Sequence, residues 1–298
     1  MRRRLPADLL LLLTVLLWSF NFTATKYALT HGFLPLSYSS FRFGTAALIF
    51  STFTWGHEGT LRVRRSDLPI LLVAAALGIW LNQLSFVFAV KLTTAATVAL
   101  MFGTLPIFVA LFSFALRLEH LRLRHWLATA VSFTGVALVA LGTSGAISGD
   151  LGGLLLGLAA AATWAGYSVA MGPLMRRYSP YRISAFVLIA GCVPLFLSAL
   201  PMLLRQDWGD PNALAWAAAI YGLFFALILT NVLWFTAIDR VGAARSSLYA
   251  NLQPFLGATF ALVILSEHMG ALQVVGGFVI AAGIVVARRP KPAVASGD

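Results

Sequence analysis

Apolar residues run along this chain in stretches of span length, separated by short polar punctuation and without the period-2 alternation of half-buried strands. The stretches fall at 9–30, 33–55, 68–90, 93–116, 126–143, 151–172, 181–202, 213–238, 246–266 and 269–287. About 20 apolar residues in a helix cross the hydrocarbon core, so each stretch predicts a membrane-spanning helix. The connections are too short for a soluble domain. A transmembrane barrel would alternate lipid-facing and lumen-facing residues, and these runs do not. The expected fold is all-α and integral to the membrane, with ten transmembrane helices.

The second five stretches echo the first five. Trp18 pairs with Trp164, Asn82 with Asn231, Lys91 with Arg240, Pro106 with Pro254, Glu119-His120 with Glu267-His268, and Gly135 with Gly283, in the same order and at a near-constant offset. An odd number of spans per copy inverts the second copy in the bilayer. Two inverted five-helix repeats, 1–145 and 146–298, are therefore expected. Such repeats are a common architecture of secondary transporters, because two equivalent halves can open a central site to either side.

Hydrophobic residues make up 60% of the 298 positions and charged residues 10%, a balance no soluble domain of this length carries. The net charge of +11 follows the membrane pattern rather than a nucleic-acid one. Arg2–Arg4, Arg62, Arg64, Arg65, Arg117, Arg122, Arg124, Arg176, Arg177, Arg182, Arg240, Arg245, Arg288, Arg289 and Lys291 fall on one side of the predicted spans. Lys26, Lys91 and Arg205 fall on the other. The positive-inside rule then places both termini in the cytoplasm, with contacts to anionic lipid headgroups and no nucleic-acid partner. The first span follows three arginines, as a signal peptide would, but it runs on through Trp18, Asn21 and Tyr27 without a small-x-small cleavage signal, and is expected to be retained. Cys192 is the one cysteine, which rules out an intrachain disulfide and a cysteine-based metal site. No metal or cofactor is expected.

The duplication, the early tryptophan of each half, Pro35 followed by Arg42, and the segments TLPIFVALFSFALRLEHL and NLQPFLGATFALVILSEHM resemble the EamA-type members of the drug/metabolite transporter superfamily over nearly the whole chain. A narrower likeness is to the YddG-type exporters of aromatic and small neutral amino acids. The resemblance implies a carrier in a bacterial inner membrane that exports amino acids, other metabolites or drugs by alternating access. It also implies a pathway lined by spans 1–4 and 6–9, with spans 5 and 10 outside. Arg42 has no basic counterpart in the second half, where the matching region reads Ala185-Phe186-Val187.

The residues that could carry transport are uncharged, with one exception. All ten acidic residues and all five histidines lie in loops or at span ends, so no buried proton relay, carboxylate pair or nucleophile–base dyad can form at mid-depth. Transport that is facilitated, or coupled weakly by another route, is expected, and an enzyme is not. Trp18, Asn21 and Thr25 share one helical face, and Trp164, Tyr167, Ser168 and Met171 the corresponding face of span 6. They form either an aromatic cavity wall or ordinary packing. Asn82 and Gln83, with Thr230 and Asn231, are either ligands for a zwitterion or interhelical glue. Trp234, Tyr249 and Asn251, and Met101 opposite them in the repeat, are further candidates. Pro106 and Pro254 predict kinks at mid-span, serving as a hinge or as static bends. Arg42, the exception, either attracts a substrate carboxylate or snorkels and caps backbone carbonyls. Glu119 and Glu267 read as folding elements beside helix N-termini. Small residues in spans 5, 6 and 10 favour packing within the bundle over a dimer face, so a monomer with a small-molecule substrate is expected.

Overall fold

The computed structural model describes residues 6–117, 123–142, 147–241, 249–250 and 252–288. Among these residues there is no strand. The helices are α1 (Ala7–Thr30), α2 (Pro35–Glu58), α3 (Leu68–Ala75), α4 (Asn82–Leu92), α5 (Ala95–Phe102), α6 (Leu105–Ala115), α7 (Leu123–Leu141), α8 (Ile147–Met171), α9 (Pro180–Leu203), α10 (Ala213–Leu223), α11 (Thr230–Val241), α12 (Gln253–Ile264) and α13 (Ala271–Arg288). Six helical stretches among the described residues are long and apolar enough to cross a membrane: Ala7–Thr30, Arg65–Leu92, Ala95–Ala115, Leu151–Met171, Pro180–Leu203 and Ala213–Trp234. α2 is more polar, but Ser37, Ser39, Ser40 and Arg42 are buried and turned into the bundle.

The two halves repeat in their irregularities as well as in their sequence. α3 runs into α4 through a π-helical segment, Ala76–Leu81, and α10 runs into α11 through another, Phe224–Leu229. Each ends just before the paired asparagines, Asn82 and Asn231. Such wide turns disturb the backbone ladder and recur at functional sites.

The prolines give a second matched pair, and here the structure differs from the expected kinks. Pro106 and Pro254 sit in the first turns of α6 and α12, each opening a new helix instead of bending a continuous one. Gly103 and Thr104 turn the chain between α5 and α6, with their amides donating to Leu100 O (2.9 Å) and Met101 O (3.0 Å). A proline in the first turn lacks only an amide that would have no intrahelical acceptor, so the break accommodates it at little cost.

α1 packs against α5, α10, α11 and α12, while α8 packs against α3 to α6 and α2 against α9. α7 and α13 pair with each other at the side of this assembly. Their approach is backbone to backbone: a Cβ on Gly135 would stand 2.7 Å from Gly276 O, and one on Gly276 would stand 2.6 Å from Gly135 O. Small residues allow such contact where lipid offers no hydrophobic drive to association.

Candidate functional site: a central cavity with one arginine

The cavity lies where the interrupted helices meet. Its empty space, open mouth included, is about 880 Å³. The wall is made by Trp18, Asn21 and Phe22 of α1, Arg42 and Phe43 of α2, Ile79 of the first π segment, Asn82, Gln83 and Phe86 of α4, and Phe102 of α5. From the other half come Trp164 and Tyr167 of α8, Ser184, Val187 and Leu188 of α9, Ala226 and Leu227 of the second π segment, Asn231 of α11 and Gln253 of α12. Among the described residues, none of α7 or α13 lines it. No carboxylate and no histidine is among these residues.

Aromatic rings make up much of the wall. Trp18 meets Trp164 edge-on at 6.4 Å between centroids and Trp234 at 5.1 Å, and Trp164 meets Tyr167 at 5.2 Å. Trp18 Nε1 donates to Thr230 Oγ1 (2.9 Å), which fixes the indole and ties α1 to α11. Phe22, Phe86 and Phe102 form a second group, at 5.3 to 6.1 Å from one another. These rings lie nearer the end of the bundle that carries Lys26.

At that end, matched charges sit on helix dipoles. Lys26 Nζ donates to Val90 O (2.9 Å) and Thr93 O (2.6 Å), the carbonyls that end α4. Glu267 accepts from the amides of Ala95 (2.9 Å) and Ala96 (3.0 Å), the first of α5. A cation at a C-terminus and a carboxylate at an N-terminus both satisfy orphan backbone groups and the macrodipole. Glu267 thus caps a helix of the opposite half, not the helix that follows it. Glu119, its partner in the repeat, lies outside the described residues. At the other end, Glu58 accepts from Arg182 Nε (2.9 Å) and from Ser179, while Asp67 accepts from Arg177 Nη1 (2.7 Å) and Tyr178 (2.6 Å). These pairs join α2 and α3 to the turn before α9.

The amides divide by how much of their capacity is already used. Asn82 Nδ2 donates to Ala160 O (2.9 Å) on α8 and Asn82 Oδ1 accepts from Gln83 Nε2 (3.2 Å). Gln83 Oε1 accepts from Ser39 (3.1 Å). This chain ties α2, α4 and α8 together, so the pair is interhelical glue that also borders the cavity. Asn231 Nδ2 donates to Leu227 O (2.6 Å) on its own helix, leaving the side-chain oxygen for the cavity.

Arg42 is the one ionised group among the described wall residues, and it is 3% exposed. Its Nη2 donates to Gly222 O (2.9 Å) and Asn21 Oδ1 (3.2 Å), and its guanidinium lies 4.9 Å from the centroid of the Tyr38 ring. Nε is buried without a hydrogen-bond partner. The ion pairs among the described residues are Arg177–Asp67 and Arg182–Glu58, so no described carboxylate neutralises Arg42. Gly222 leaves the room this requires: a Cβ there would stand 2.6 Å from Nε.

The comparisons with known proteins fit this geometry. The profile of the EamA-like transporter family matches twice, over residues 5–141 and 151–289. The chain belongs to the EamA-like transporter family. As a member it is a multi-pass membrane transporter. It is 28% identical over 280 residues (94% of this chain and 92% of the other) to a protein of Streptantibioticus cattleyicolor named "probable terminal-alkyne amino-acid exporter". It is 26% identical over 292 residues (93% of each) to one of Salmonella typhimurium named "probable amino-acid metabolite efflux pump". A solved crystal structure shares the fold, with a TM-score of 0.66 at 23% identity over 94% of this chain and 96% of that one.

In this EamA-like chain, eight of the residues singled out from sequence meet at the cavity: Trp18, Asn21, Arg42, Asn82, Gln83, Trp164, Tyr167 and Asn231. Four stand behind or away from it. Met101 is fully buried against Gly157 of α8. Ser168 is exposed and bonded to Trp164 O (2.8 Å). Trp234 backs Trp18 and, with Tyr249, packs on Leu10, Leu11 and Ala237. Asn251 lies outside the described residues. Sequence reasoning missed Phe22, Phe102, Ser184, Leu188 and Leu227. Ser184, a lone hydroxyl in an apolar run, carried a signal; the others look like any apolar residue of a span.

Proposed function

We propose that this protein is a facilitative carrier that exports small organic metabolites, amino acids foremost, across a bacterial inner membrane by alternating access. Ten transmembrane helices form two inverted repeats, 1–145 and 146–298, with both termini cytoplasmic, and the monomer is the working unit. The observation that carries this reading is the central cavity, lined by residues of both halves, with Glu267 of the second half capping α5 of the first. Pro106 and Pro254, at breaks in equivalent helices, are the hinges about which the cavity opens. An aromatic wall with sparse polar groups suits a solute with an apolar body and a small polar head. The names of the two exporter relatives support the amino-acid class. The described wall residues include no carboxylate or histidine that could relay protons, which supports movement down the solute's own gradient.

Counterflow in proteoliposomes tests it. Liposomes preloaded with unlabelled amino acid are expected to take up labelled amino acid transiently and saturably, with no accumulation driven by an imposed proton gradient. Uptake without saturation or exchange means a channel. Exchange of lipophilic cations to the exclusion of amino acids means a drug exporter. Either result overturns the reading.

A further inference from the structure

We propose that Arg42 binds the substrate's carboxylate, so that the solutes this protein carries are carboxylic acids, α-amino acids among them; this rests on the carrier reading above and names its substrate class. A buried arginine normally faces a carboxylate, since an uncompensated charge in a low-dielectric interior is strongly destabilising. Arg42 instead holds two neutral oxygens, Gly222 O and Asn21 Oδ1, through a single nitrogen. Nε is unpartnered although the residue is 97% buried, the complement of its 3% exposure. Arg42 also lines the cavity, and no carboxylate is among the described lining residues to compete.

A guanidinium presents donors in a planar fork that matches a carboxylate's two oxygens, which a lysine ammonium cannot do. Asn21 strengthens the match. Its side-chain oxygen is engaged by Arg42, which leaves its amide N–H groups as further donors beside the same site. An ammonium group has acceptors elsewhere in the wall: the free oxygen of Asn231 and the faces of Trp18, Trp164 and Tyr167. Arg42 and Asn21 place donors together, and Asn231 and the π-faces offer acceptors elsewhere in the wall, an arrangement that suits an amino-acid zwitterion.

The probes are the proteinogenic L-amino acids and their carboxamides, compared in counterflow exchange and by quenching of intrinsic tryptophan fluorescence. Wild type is expected to favour each transported acid over its carboxamide by on the order of 100-fold, the scale of losing one buried charge-paired contact. Arg42→Gln is expected to collapse that ratio towards one, and Gly222→Ala, which crowds Nε, to narrow it. A structural role for Arg42 would lower both probe sets together and leave the ratio intact, which overturns the assignment. Equal exchange of acids and carboxamides by wild type overturns it as well, and that comparison stands even if a variant fails to fold. Should neither set exchange while another solute does, the amino-acid class fails, and acid–amide pairs of that solute decide Arg42 by the same ratio. Should nothing exchange, the carrier reading falls and takes this assignment with it.

Discussion

Arginine 42 shows how far a single residue can be read. Its depth in an apolar span and the lack of a basic counterpart in the other half mark it in the sequence. What the sequence could not supply is Gly222, which lies far along the chain in another helix and is recognisable only once its missing side chain is seen to hold space for a guanidinium. Asn82 and Gln83 teach the converse. As polar residues in a span they look like ligands, yet Asn82 Nδ2 donates to Ala160 O and Gln83 Nε2 to Asn82 Oδ1. Glu58 is a different kind of charge, beyond the predicted end of its span. Burial raises its pKa, but the hydrogen bonds from Ser179 and Arg182 and the Arg182 charge outweigh this and hold it below the usual carboxylate range. A carboxyl depressed in the folded state stabilises above its unfolded pKa, about 4.3, and that contribution is lost as pH falls through the lower folded value. Glu58→Gln should therefore melt at a lower temperature than wild type at pH 7 in detergent, with the gap closing below about pH 4. A gap that is constant with pH would show that the carboxylate's charge plays no part.

Among the elements, the repeat is more exact in structure than in sequence. Matching residues reveal the duplication, but nothing in Ala76–Leu81 or Phe224–Leu229 announces a π segment. Both are plain apolar runs. Pro106 and Pro254 were visible as interruptions. The pattern alone does not distinguish a kinked helix from two helices, because it is the first-turn position of the proline that decides. The small residues of α7 and α13 marked close helix packing but not which helices pair, and their contact makes a direct prediction. Gly276→Leu drives a side chain into the Gly135 carbonyl and should cost about 1–3 kcal/mol of stability, as overpacking does. Thermal melting checks it, and binding should survive, because no described residue of either helix lines the cavity. An unchanged melting temperature would mean that the two helices can separate freely.

For the molecule as a whole, composition and periodicity were enough to state an all-helical membrane protein with a duplicated plan, since both follow from the bilayer acting as solvent. The cavity was legible in part, through polar and aromatic residues out of place in a span. The contacts of Lys26 and Glu267 at the ends of α4 and α5 were not, because both grip backbone groups far along the chain, and backbone leaves no mark in a sequence. The account turns on one cavity reached alternately from the two sides. Leu227, half-buried in the second π segment and part of the wall, offers a reporter once Cys192 is replaced by alanine. A membrane-impermeant maleimide applied to Leu227→Cys in right-side-out and inside-out vesicles measures access directly. The expected result is labelling from both faces, with a saturating transported amino acid changing the ratio of the two rates. Labelling from one face alone, under every condition, would contradict alternating access.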